Sequence, residues 1–234
     1  MKLHIDEFGD GGKTLVLIHG ASGDRGTWRD IVSVYVQRGY RVLTPDLRGH
    51  GLTGPGPSYA IDDFAGDLVE SLPTGIDVIA GHSLGGRVLA RAVSDLRPGK
   101  AVYLDPAFGP LDPDAIADGT FPQFVDGTPM TRDELFSFHP EWTPSEIDQS
   151  LASYSRWSAE MLRAPGMLDI DVMPPSPPVV PSLIVLADPS DLVGADQRRQ
   201  LEAAGYEFRV LAGAGHVLHA DDPEGFVAVL DGWV

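Results

Sequence analysis

The chain contains no cysteine. That excludes disulfides, thiolate metal sites and a cysteine nucleophile, and it is compatible with a reducing cytoplasm. No apolar run approaches the ~18–20 residues that a membrane span requires. The opening "MKLHIDEFGD" turns polar at once, so the apolar core of a secretory signal is absent and a cytoplasmic location is expected. Basic residues are scarce: 17 Lys and Arg stand against 34 Asp and Glu, a formal net charge of −17. Such a surface repels nucleic acid and anionic membranes, and the basic residues are scattered rather than patched. What is present, 234 residues of which 43% are hydrophobic, suffices for one large domain with an inserted lobe.

Two periods alternate along the first hundred residues. Continuous or alternating apolar runs at 3–8, 14–20, 40–46, 77–82 and 100–106 read as strands, mostly buried on both faces. Between them, 27–38 (with Thr27 as cap), 61–72 and 84–96 carry apolar residues at helical spacing. The rhythm breaks over 107–180. There, Pro-rich joints surround two helical candidates, 131–138 and 143–162, the second opened by Thr143, Pro144 and Glu146 in capping-box spacing. It resumes with strand 181–188, helix 194–205, strand 206–211 and a final helix begun at Asp222, Pro223 and Glu224. Strands and helices taking turns predict an α/β fold with a mostly parallel sheet. Residues 1–106 and 181–234 form its core, and 107–180 is an inserted helical cap.

One stretch demands chemistry. "DVIAGHSLGGRVLA", 77–90, places Ser83 in a G-x-S-x-G turn between a strand and a helix. Gly81 and Gly85 remove side chains that would collide with so sharp a turn, and Gly86 allows close helix packing. The N–H of Leu84 then points where an oxyanion would form. A serine hydroxyl needs a base. His216, in the loop between the last strand and last helix, is preferred over His219, which fits packing against that helix; His82, His19, His50, His4 and His139 suit structural or superficial roles. The base needs an acid. Asp191, in "ADPSDLV", is preferred, with Asp188 as the alternative; Asp105 is a third option that a strand-terminal turn accounts for. The N–H of Ala21, or else Ser22, is the second oxyanion donor if strands 14–19 and 76–81 are neighbours.

The order Ser83, Asp191, His216, together with "LIHG", "DLRGHG", "GHSLGG" and "GAGHVLHADDPE", resembles the α/β-hydrolase superfamily over nearly the whole chain. The resemblance implies an eight-stranded sheet, catalytic residues on loops at its C-terminal edge and a helical cap above. It supports an acid in a loop like "ADPSDLV", although Ala187 stands where a glycine often begins that loop. It also discounts epoxide and carbon–halogen cleavage, which use an aspartate where this chain has Ser83. The expected activity is hydrolysis of an ester, lactone or related acyl bond through a covalent acyl-enzyme, needing no metal or organic cofactor. Carbon–carbon hydrolysis and perhydrolysis run on the same triad and stay open, as does a ligand-binding or sensor protein with a slow triad. The expected partner is a small apolar ester-like molecule. Candidates for lining its pocket are Phe121, Phe124, Met130, Phe136, Phe138, Trp142, Tyr154, Trp157, Met161 and Met167, some of which serve only to fix the cap.

Overall fold

A computed structural model describes residues 1–111 and 130–234. Seven strands lie in one sheet: β1 (Ile5–Phe8), β2 (Lys13–Ile18), β3 (Tyr40–Pro45), β4 (Val78–His82), β5 (Lys100–Leu104), β6 (Ser182–Leu186) and β7 (Glu207–Val210). Their order is β1-β3-β2-β4-β5-β6-β7. Only β1 runs antiparallel, against β3. All seven were legible as apolar runs; the eighth, carried over from the resemblance, does not occur among the described residues.

Alternation along the strands sets the two layers. Val16, Ile18, Ile79, Tyr103 and Ile184 face one apolar cluster, which α2 (Ile61–Ser71), α3 (Leu84–Leu96) and α6 (Ala195–Ala204) complete with Phe64, Val88 and Leu201. Their neighbours Leu15, Leu17, Val78, Val102 and Val185 face the other, closed by Ile31 and Tyr35 of α1 (Arg29–Gln37) and Phe226 of α8 (Pro223–Val229). Both faces are therefore covered, as a parallel sheet requires.

Two helices differ from expectation, one at its start and one at its end. The chain enters α1 through a 3₁₀ turn, Arg25–Trp28, capped by Asp24; Thr27 supplies the reciprocal half of that capping box and is not the cap. The long helix expected over 143–162 ends early. Thr143 caps α5 (Pro144–Tyr154) as foreseen, but the chain then turns and resumes as a 3₁₀ segment, Ala159–Arg163. The apolar spacing survives that break because the turn is packed: Met161 is fully buried. Upstream, α4 (Arg132–Phe138) is capped by Thr131.

Both ends of the segment between β5 and β6 are gripped by one side chain of α3. Arg87 of α3 is fully buried and donates Nε to the Met167 carbonyl at 2.9 Å. Its Nη1 reaches the carbonyls of Ala107 (2.7 Å), Phe108 (3.1 Å) and Gly109 (2.7 Å), and Nη2 reaches that of Ile170 at 2.5 Å. The outgoing and returning stems are thus clasped by a single guanidinium. Burial pushes its pKa down to about 10, against the pull of Asp171 and Asp169, so it remains a cation.

Candidate active site

Ser83 sits at the tip of the turn between β4 and α3 with φ 50° and ψ −111°. A non-glycine residue there is strained, and three glycines make the strain possible. A Cβ on Gly81 would meet the Gly85 carbonyl oxygen at 2.4 Å; one on Gly85 would meet the carbonyl oxygens of Ile18 and His19 at 2.6 Å; one on Gly86 would meet Pro106 Cβ at 2.9 Å. The Ser83 N–H donates to the Leu104 carbonyl at 2.9 Å, which fixes the turn to the end of β5. Leu84 is the first residue of α3, so its N–H has no acceptor within the helix.

The neighbouring loop packs against this turn. Strands β2 and β4 are adjacent, with Ile18 opposite Gly81. A Cβ on Gly20 would lie 3.2 Å from Ser83 Cβ and 2.8 Å from His82 Nδ1. Ala21 follows directly, and both Ala21 and Leu84 line the same cavity as Ser83. His19 sets the loop's path: its Nδ1 donates to the Gly20 carbonyl at 2.7 Å while Nε2 accepts the Leu47 N–H at 3.0 Å. Burial holds the His19 pKa down, consistent with a neutral ring that can both donate and accept.

His216 Nδ1 is hydrogen-bonded to Asp105 Oδ2 at 2.7 Å. Asp191, the acid expected from sequence, is not the carboxylate that the structure brings to His216. Asp191 is exposed and lines the cavity, but Asp105 is the carboxylate in contact with the imidazole. The reason lies in the sheet order. Strand β5 adjoins β4, so a residue at its C-terminal end lies beside the serine turn, whereas β6 is one strand further away. Asp105 adopts φ 38°, a bend that carries its side chain out of the strand. Burial alone would raise its pKa; hydrogen bonds from His216, Ser190 and the Ala187 N–H (3.2 Å) outweigh that and hold it below the usual carboxylate range. Asp188 instead accepts the Gly213 N–H at 3.3 Å, a loop-capping contact. One signal for Asp105 was available: an acid closing an otherwise apolar strand, immediately after the helix that Ser83 begins.

Two further histidines, His82 and His219, are buried beside these groups. His82 Nε2 donates to the His216 backbone carbonyl at 2.7 Å, tying the serine turn to the loop of the base. Burial, reinforced by the nearby His216, pushes the His82 pKa down to about 3. His219 packs on Trp28 with ring centroids 4.1 Å apart and planes tilted by 31°, and burial pushes its pKa well below the usual range. Ser83 is half-buried, and His216 leaves 44% of its side chain accessible, facing the cavity. The Ser83 hydroxyl makes no side-chain hydrogen bond among the described residues; such pairs commonly close up only when substrate arrives.

The cavity measures about 560 Å³. Beyond the residues above, its walls are Leu111, Met130, Leu135, Trp142, Tyr154 and Met167, with Gln149 and Ser153 at one side. Of the predicted lining, Met130, Trp142, Tyr154 and Met167 are there. Met161 belongs to the core, Phe136 and Phe138 are exposed, and Phe121 and Phe124 lie outside the described residues. His139, expected at the surface, also lines the cavity. A larger groove of about 950 Å³ runs between α2 and α3 and contains none of these candidates.

Residues 15–229 match the model of the alpha/beta hydrolase family. Over 139 residues, 53% of the chain, the sequence is 33% identical to the non-heme chloroperoxidase CPO-A1 of Kitasatospora aureofaciens, and the match spans 50% of that protein. The chain thus spans about half the length of that curated relative. A deformylase from Pseudomonas putida S16 superposes with a TM-score of 0.78 at 22% identity, covering 97% of this chain and 95% of that one. Est816, an N-acyl homoserine lactone degrading enzyme, superposes with a TM-score of 0.76 at 22% identity, covering 99% and 96%. At these identities the structural likeness shows a shared fold. No helix of the described residues is long and apolar enough to cross a membrane.

Proposed function

Given that the chain belongs to the alpha/beta hydrolase family, we propose that it is a serine hydrolase acting on an ester, lactone or related acyl compound. The observation that carries this reading is the His216–Asp105 hydrogen bond at 2.7 Å beside a strained serine in a mostly apolar cavity. Ser83 Oγ attacks the acyl carbon while His216 Nε2 takes its proton. Asp105 holds the imidazole with Nδ1 protonated, which leaves Nε2 as the acceptor, and it stabilises the imidazolium that results. The developing oxyanion is received by the N–H groups of Ala21 and Leu84; losing one such donor costs on the order of 10²–10³ in rate. His216 then protonates the leaving alcohol, and water repeats the sequence to release the acid.

Residues 107–180 act in this reading as a cap, with α4 and α5 roofing an apolar pocket for a small to medium acyl or alcohol group. The buried cation nearest the pocket, Arg87, is committed to carbonyls, which favours an uncharged substrate over an anionic one. Similarity to a non-heme chloroperoxidase favours one further reaction on the same residues, attack of peroxide in place of water on the acyl-enzyme. The test is burst release of p-nitrophenol from p-nitrophenyl acetate, lost in Ser83→Ala, together with fluorophosphonate labelling of Ser83. Wild-type protein that neither turns over nor labels would overturn the proposal.

A further inference from the structure

A second cluster of chemically capable groups sits where the segment between α4 and α5 meets α7 (Leu218–Asp221). His139 Nδ1 lies 3.4 Å from Glu141 Oε1 and 3.7 Å from Asp221 Oδ1. One ligand atom from each of the three residues lies within 4.8 Å of the others. We propose that His139, Glu141 and Asp221 form a binding site for a divalent cation of the Zn²⁺ class, joining the cap to the core five residues beyond His216.

Three observations support the site. The first is geometric. An ion about 2.1 Å from both atoms of a pair would subtend about 110° between His139 and Glu141 and about 125° between His139 and Asp221; the two carboxylate oxygens, within 4.8 Å of each other, would draw together around it. The second is charge. Two carboxylates approach each other here, and among the described residues neither forms an ion pair with Lys or Arg. The third is the outer shell. Trp142 Nε1 donates to Asp221 Oδ1 at 2.8 Å, and the Trp142 ring stacks on His139 with centroids 3.8 Å apart and planes 12° apart. Metal-binding sites use such partners to fix the orientation of their ligands.

Imidazole with two carboxylates suits Zn²⁺ or a similar transition ion better than Ca²⁺, which prefers more oxygen ligands. Three protein ligands leave a position for water. Asp221 is only partly accessible, and its Oδ2 would lie 2.9 Å from a Cβ on Gly215, so an ion here would brace the loop that carries His216.

The experiment is calorimetric titration of the full chain with ZnCl₂, with thermal unfolding followed in parallel and Co²⁺ absorption as a report on geometry. The expected result is one ion per chain, a rise in melting temperature and a tetrahedral Co²⁺ spectrum. Glu141→Gln, at an exposed side chain, should weaken binding about tenfold or more, as should His139→Ala. Trp142→Phe, which removes only the outer hydrogen bond, should weaken it by roughly 10–100-fold. His216→Ala should leave it unchanged. The proposal is overturned if no ion binds at micromolar concentration, or if Glu141→Gln and His139→Ala bind as wild type does.

Discussion

Replacing Asp105 with Asn is the sharpest probe of the candidate site, because it alters one atom of a buried contact. The wild-type carboxylate offers Oδ2 to His216 Nδ1 at 2.7 Å and Oδ1 to the Ala187 N–H at 3.2 Å. An Asn amide has one acceptor and one donor end. The Ala187 N–H can only face the carbonyl oxygen, so the amide NH₂ turns toward His216. The imidazole must then accept at Nδ1, which places its proton on Nε2 and removes the base from Ser83. In a triad, this inversion lowers kcat by about 10⁴, equivalent to about 5 kcal/mol of activation free energy. Asp191→Asn, at an exposed position, should stay within about twofold of wild type. Steady-state hydrolysis of p-nitrophenyl acetate measures both, with melting temperatures to exclude unfolding. An Asp191→Asn protein that loses activity beside an Asp105→Asn protein that keeps it would refute the assignment.

Three further outcomes are expected. Gly20→Ala would press a methyl group against His82 and Ser83, at 2.8 Å and 3.2 Å; by displacing the Ala21 donor it should cost roughly 10²–10³ in kcat with little change in KM, and a large KM rise with kcat intact would contradict that. Arg87→Met would strip donors from five carbonyls, three of them in fully buried contacts, and should destabilise by about 3–5 kcal/mol in urea unfolding. His82 and His219 are buried with folded pKa values below the unfolded one of about 6.5, so the unfolded chain binds the extra protons as pH falls. Their neutral burial is fully accommodated above about pH 6.5, and each then costs about 1.4 kcal/mol per pH unit down toward its folded pKa, about 3 for His82. His219→Phe, which keeps the packing on Trp28 and removes two unpaired ring nitrogens, should therefore melt higher than wild type at pH 5 in calorimetry; an equal pH dependence of the two would sink this reasoning.

Local chemistry made most of the scaffold readable. Runs such as Leu15–Ile18 and Leu183–Leu186 are apolar at every position because helices cover both sheet faces, and the glycines around Ser83 mark a turn that no other residue fits. His216 was also readable, as an imidazole in the last long loop before the final helix. Asp105 was not, because the decisive fact is lateral. Its strand is next to β4 in space, and its Asp-Pro sequence has the local look of a turn. Pattern likewise ran Tyr154, Trp157 and Met161 into one helix. In the fold Tyr154 ends α5 and faces the cavity, Trp157 lies in the turn that follows beside His50, and Met161 enters the core. Contacts between the segment that joins β5 to β6 and the rest of the chain were equally hidden. Asp24, which accepts from Gln149 at 3.0 Å and pairs with Arg156, carries no local mark of either partner.

The guanidinium beneath the insertion separates two design problems that a single chain would otherwise have to solve together. Because the departing and returning backbones are both pinned at Arg87, what is strung between Gly109 and Met167 should tolerate changes in length and character, provided that the contacts of Gln149 and Arg156 with Asp24 and of Trp142 with Asp221 are kept. A transplanted lid of foreign sequence, spliced between those two points, should yield a folded protein with altered selectivity, so that new substrates become accessible through one exchangeable cassette.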